Sequence, residues 1–186
     1  MTFLELFILA VGVSLDAFAV AECKGLAIRT PYLRHYLSVG LWFAIFQVLI
    51  PLAGYYVGRL FSDYIAAFGH AIAFIMLCAI GFNMFRESRI TYKTGGTSLA
   101  FRYMLPMALG ISIDGLATGI AVAFLNAKIV LAVCLIGIVT FILSVLGVRT
   151  GCVVGTKYKA AAQIAGGLIL ILLGLKILLA HLGFLG

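Results

Sequence analysis

Six apolar stretches, about 2–22, 37–57, 64–85, 103–125, 128–148 and 161–182, occupy most of this 186-residue sequence. A helix needs about 20 apolar residues to cross a hydrocarbon layer of about 30 Å, and each stretch meets that length. Composition agrees: 65% of the residues are hydrophobic and 10% are charged, with a mean hydropathy of +1.23. A soluble domain carries about 25% charged residues to cover its surface. Too few charges remain here for a soluble enzyme, a nucleic-acid module or a disordered tail. Membrane strands would alternate apolar and polar over about ten residues, whereas these runs are continuous. The fold class expected is an all-α membrane protein of six transmembrane helices surrounded by a lipid bilayer.

The net charge of +7 does not indicate nucleic acid, because the basic residues form short clusters between the apolar runs. Lys24, Arg29 and Arg34 follow the first run; Arg86, Arg89, Lys93 and Arg102 follow the third; Arg149, Lys157 and Lys159 follow the fifth. The opposite loops hold Arg59 and Lys128. That bias predicts three cytoplasmic loops and both termini outside. Ala19-Val20-Ala21 and Cys23 suggest a processed leader, but no basic residue precedes them and Asp16 interrupts the run. The first run is therefore expected to be a retained span. Cys23, Cys78, Cys134 and Cys152 show no C-x-x-C pair, so neither a zinc site nor a disulfide framework follows.

The chain also repeats itself. Gly12-Val-Ser14-Leu-Asp16-Ala-Phe-Ala19 returns as Gly110-Ile-Ser112-Ile-Asp114-Gly-Leu-Ala117. Gln47, Pro51, Gly54 and Gly58 return at equal spacing as Thr140, Ser144, Gly147 and Gly151, and Gly81 and Asn83 as Gly174 and Lys176. Three spans per half imply two inverted three-helix repeats, 1–93 and 94–186, divided near Gly95-Gly96 within one integral bundle. Such repeats place substrate between the halves near the midplane.

Asp16 and Asp114 are the intramembrane carboxylates. Each costs about 2.5–3.5 kcal/mol to insert, so two at equivalent positions imply a shared use. Gly12, Asp16, Ala19 and Cys23 share one helical face, with Gly110, Asp114, Ala117 and Ala121 equivalent to them. Ser14, Ser112, Gln47, Thr118 and Thr140 add neutral oxygens, and Pro51 is expected to break its helix and free carbonyls. An oxygen-rich site of this kind suits Mg²⁺, Mn²⁺ or Ca²⁺ rather than copper or zinc. Carboxylates that release a metal can take up protons, which points to cation/proton exchange. Glu22 and Lys24 are expected at a solvated end of the first span, where Glu22 is also a pathway candidate. Asn83 and Lys176 are candidates for the two vestibules, His70 and His181 for the interfaces, and the Gly-x-x-x-Gly runs for helix packing.

The paired Ser-(Leu/Ile)-Asp-(Ala/Gly)-(Phe/Leu)-Ala motifs, Gln47-x-x-x-Pro51-x-x-Gly54 and Gly166-Gly167-Leu168…Gly174…His181 resemble the MntP family of bacterial manganese exporters. The resemblance runs over nearly the whole chain and implies a place in the wider lysine-exporter superfamily. It implies Mn²⁺ efflux with no cofactor, the ion being cargo, and marks Asp16 and Asp114 as essential. Relatives can be acidic at position 47, usually carry small residues at the positions of Glu22-Cys23, and have alanine in place of Gly115. Other readings are an exporter of cadmium or an amino acid on the same scaffold, a structural aspartate pair, or an intramembrane aspartyl protease. A protease would carry Gly-x-Gly-Asp, whereas Ile111-Ser112-Ile113 precedes Asp114.

Overall fold

The computed structural model describes residues 2–28, 32–65, 69–89, 101–125, 127–154 and 158–181. They form six helices: α1 (Phe3–Ile28), α2 (Leu33–Ile65), α3 (Gly69–Glu87), α4 (Phe101–Phe124), α5 (Ile129–Val154) and α6 (Lys159–His181). In hydrocarbon every backbone polar group needs an internal partner, and a helix supplies one within each segment. Four stretches are long and apolar enough to cross a bilayer: Phe3–Ile28, Leu33–Leu60, Ile129–Val153 and Ala160–Ala180. Among the described residues α3 and α4 contribute shorter apolar stretches, Ala71–Arg86 and Asp114–Phe124. The chain is a multi-pass, all-helical membrane protein. Gly95-Gly96, the expected boundary, and the basic residues Arg29, Lys93 and Lys157 lie outside the described residues.

Local chemistry starts the helices where the sequence changes character. At α1 the Thr2 N–H donates to Glu5 Oε2 at 2.9 Å and the Glu5 N–H to Thr2 Oγ1 at 3.4 Å. This reciprocal capping box satisfies two N–H groups that have no helical partner. At α2 the Tyr32 N–H donates to His35 Nδ1 at 3.0 Å. Pro51 does not break α2, contrary to expectation. The helix runs unbroken over its 33 residues, about 50 Å at the α-helical rise. Proline still has no N–H to offer the carbonyl four residues back, so Gln47 loses its helical partner although the helix continues.

The helices pack mostly across the halves. α1 lies against α5 and α6, α4 lies against α2 and α3, and the pairs α2–α5 and α3–α6 complete the bundle. Exchanging α1 with α4, α2 with α5 and α3 with α6 leaves this pattern unchanged. The glycine crossings repeat it in detail. A β-carbon on Gly54 would meet the Leu116 carbonyl, and one on Gly147 would meet that of Phe18, which stands in α1 where Leu116 stands in α4. Gly58 likewise approaches the backbone of Ile120, and Gly151 that of Glu22, again equivalent positions. Small residues bring these backbones into van der Waals contact, the packing energy available where lipid replaces water.

α1 is the most enclosed of the four stretches long enough to cross a bilayer, with Leu6, Leu9, Val13, Ala17 and Val20 all buried. Leu77, Ile80, Met84, Leu170 and Leu173 pack on its first half, and Val39, Phe43, Met104 and Val148 on its second. Apolar side chains also cover the outside: Leu41, Ile45 and Leu49 on α2, Ile138, Ile142 and Leu146 on α5, Leu168 and Leu172 on α6. Contiguous apolar faces of this extent would drive association in water, whereas in a bilayer they are the solvated surface.

Candidate functional site

Ser14 and Thr140 meet between α1 and α5, with Oγ and Oγ1 2.7 Å apart and neither side chain exposed. Two hydroxyls can satisfy each other, one donating and one accepting, so this pair fastens α1 to α5. Thr140→Val would leave the Ser14 hydroxyl buried without that partner. It is expected to cost about 1–3 kcal/mol in detergent unfolding, and adding Ser14→Ala is expected to recover part of the loss.

The equivalent place in the other half is different. Gln47 takes the position of Thr140, is fully buried, and neither its Oε1 nor its Nε2 has a hydrogen-bond partner. It is pressed against α4 beside Asp114: a β-carbon at residue 115 would stand 3.0 Å from Gln47 Oε1 and 3.1 Å from Pro51 Cγ. Glycine at 115 makes room for the amide. Ser112 lies on α4, but its side chain is outside the described residues.

Asp114 is partly exposed. Asn83 reaches it from α3, its Nδ2 lying 3.4 Å from both carboxylate oxygens. One helical turn on, the Thr118 hydroxyl donates to the Asp114 main-chain carbonyl at 2.9 Å. Asp16, in the equivalent place on α1, is only 2% exposed. The two aspartates therefore differ in access, although their sequence motifs match. Among the described residues no three His, Cys, Asp or Glu side chains form a group that could hold a metal. A cation here would draw on one or two carboxylates together with neutral oxygens.

Several expected residues lie elsewhere. Glu22 and Lys24 do not form a solvated end: both are fully buried. The Tyr158 N–H, at the start of α6, donates to Glu22 Oε1 at 3.1 Å, so a helix packed across this end encloses the carboxylate. Lys176 meets Glu5, with Nζ 2.8 Å from Oε1 and its own side chain 52% exposed. Its repeat counterpart Asn83 instead meets Asp114. An exposed pair of this kind contributes little, so Lys176→Met is expected to shift unfolding in detergent by less than about 1 kcal/mol. The side chains of His70 and His181 are outside the described residues.

Two buried polar residues were not among the site candidates read from the sequence: Ser144, noted only as the counterpart of Pro51, and Gln163. Ser144 Oγ has no partner. It lies one turn beyond Thr140 on the same face of α5, a spacing that could have marked it. Gln163 is a lone amide in an apolar helix, the same signal that marked Gln47.

Comparison with known proteins gives the family. The family model described as "Mntp: Putative manganese efflux pump" matches residues 30–178. The chain belongs to the MntP family. A "Putative manganese efflux pump MntP" of Desulfitobacterium hafniense is 52% identical over 183 residues, covering 98% of this chain and 97% of that relative. Relatives of the same name from Acetivibrio thermocellus and Campylobacter jejuni are 47% and 44% identical, covering 98% and 99% of the chain. No solved structure matches. MntP membership puts the chain among efflux transporters rather than enzymes, so the protease reading falls. It indicates no cofactor; the metal in the MntP name is cargo.

Proposed function

We propose that this protein exports Mn²⁺ from the cytoplasm of a bacterium by alternating access between two inverted halves, 1–93 and 94–186. The cargo is the one named for its MntP relatives. The observation that carries the site is Gln47. An amide buried without a partner costs about 1–3 kcal/mol, and a bound ligand beside Asp114 would remove that cost. Asp114 supplies the accessible charge, and Asp16 a second carboxylate, so the pair can balance a divalent cation. Ser14, Ser112, Thr118 and Thr140 are the hydroxyl residues that the sequence places on the same helices. Asn83 faces the Asp114 carboxylate with its N–H; turned about its last bond, it would present its oxygen to a cation instead. Oxygen ligands of this kind suit Mn²⁺.

The crossings that recur under exchange of halves support inverted repeats, whose shared midplane site opens to one side at a time. The loop charges support both termini outside, in the inner membrane. A carboxylate pair emptied of metal is left with uncompensated charge, and protons are the exchange partner we assign.

The test is Mn²⁺ flux into proteoliposomes containing a pH dye. Flux with opposite proton movement, reduced about tenfold or more in Gln47→Leu, is the expected result. Flux with no proton movement would remove the exchange and keep the exporter. Wild-type protein that folds and inserts yet moves Cd²⁺ and no Mn²⁺ would overturn the cargo.

A further inference from the structure

The two halves close their ends by the same glycine crossings, but one end carries an extra contact. Where α5 crosses α1, Gly151 approaches the backbone of Glu22 and Gly25 that of Val148. Cys152 Sγ also donates to the Gly25 carbonyl at 3.1 Å. Where α2 crosses α4, Gly58 approaches Ile120 and Ala123 in the same manner. Isoleucine at 120 shows that packing alone can close such an end. At 22 the sequence instead places a carboxylate, fully buried, which accepts the Tyr158 N–H.

That N–H belongs to the first turn of α6, since the Tyr158 carbonyl accepts from the Ala162 N–H at 2.8 Å. A helix start has N–H groups without helical partners and a partial positive charge, so a carboxylate there is stabilised. Glu22 gains nothing similar from its own helix, whose end, two turns on, carries partial negative charge. The bond from Tyr158 supports the burial of Glu22 while α1, α5 and α6 stay together. We propose that Glu22 is a latch that holds this end of the bundle closed, with no counterpart among the described residues at the opposite end, where Ile120 takes its place.

The latch biases the bundle toward states in which the α2–α3–α4 end opens first. On the alternating-access reading, that is the external end, and a resting pump closed to the cytoplasm. The contact itself does not depend on which ion is carried, and its test uses no transport.

Cys23 and Cys152 lie at this crossing and serve as reporters once Cys78 and Cys134 are changed to alanine. Cys23 is buried, at 6% exposure. Its labelling by N-ethylmaleimide, located by mass spectrometry, measures opening. Glu22→Ile, which installs the residue type of the other half, is expected to label at Cys23 about tenfold faster than the parent, in line with loss of a helix cap. Glu22→Gln keeps an acceptor for the Tyr158 N–H and is expected to fall between the two. Equal rates in Glu22→Ile and the parent would overturn the latch. So would a Glu22→Ile protein that aggregates on gel filtration while Glu22→Gln labels like the parent, because the contact would then hold the fold rather than one state.

Discussion

Asp114→Asn is expected to lower Mn²⁺ flux by about 100-fold or more while the protein still folds. The substitution keeps the size of the side chain and leaves an oxygen to accept from Asn83, whose amide spans both carboxylate oxygens at 3.4 Å. The backbone bond from Thr118 does not involve the side chain. What disappears is the charge. Loss of groups that only support a metal ligand costs about 10–100-fold, so loss of the charged ligand should cost at least the upper value. Asp114 is the better first target than Asp16, because Asp16 is almost fully enclosed and its replacement would disturb packing as well as charge. Flux in proteoliposomes and thermal unfolding in detergent give the two readouts. Unchanged flux would remove Asp114 from the site, and a variant that fails to fold would make the aspartate structural.

Gly151→Ala should have the opposite signature, a loss of folded protein rather than of chemistry. The added methyl would collide with the carbonyl of Glu22, so two backbones must separate rather than one side chain turn. Overpacking costs about 1–3 kcal/mol where neighbours can adjust, and backbone against backbone belongs at or above the upper end. Gly174 is the control. A β-carbon there would stand 3.2 Å from Leu77 Cβ and 3.3 Å from Phe74 Cδ2, contacts that a small shift can relieve. Gly174→Ala is expected to cost less than about 1 kcal/mol, and Gly151→Ala about 3 kcal/mol or more, in detergent unfolding. Equal stabilities would contradict the close crossing.

The helices were legible because membrane spans announce themselves through long apolar runs; the matched Asp16 and Asp114 motifs suggested the repeat that we propose. Pairings across helices were less legible. Nothing in the order of residues says that Thr140 meets Ser14 while Gln47, its counterpart, meets no polar partner. Glu22 and Lys24 looked solvated because they precede a basic loop; the Glu22 carboxylate is instead met by Tyr158 at the start of α6, a long-range contact. Pro51 was read from local preference, but α2 continues through it as one helix. Lys176 and Asn83 occupy equivalent positions yet meet different acids, because lysine is longer and its end needs water.

The arrangement of partners also bears on how the chain is made. α1 scarcely touches α2, and its main neighbours, α5 and α6, are synthesised last. During translation the first three helices therefore enter the lipid before the main neighbours of α1 exist. The bond from Tyr158 to Glu22 forms only when the second half arrives. A chain halted after α3 should be a substrate for membrane quality control, and the two halves made as separate polypeptides should survive only when produced together.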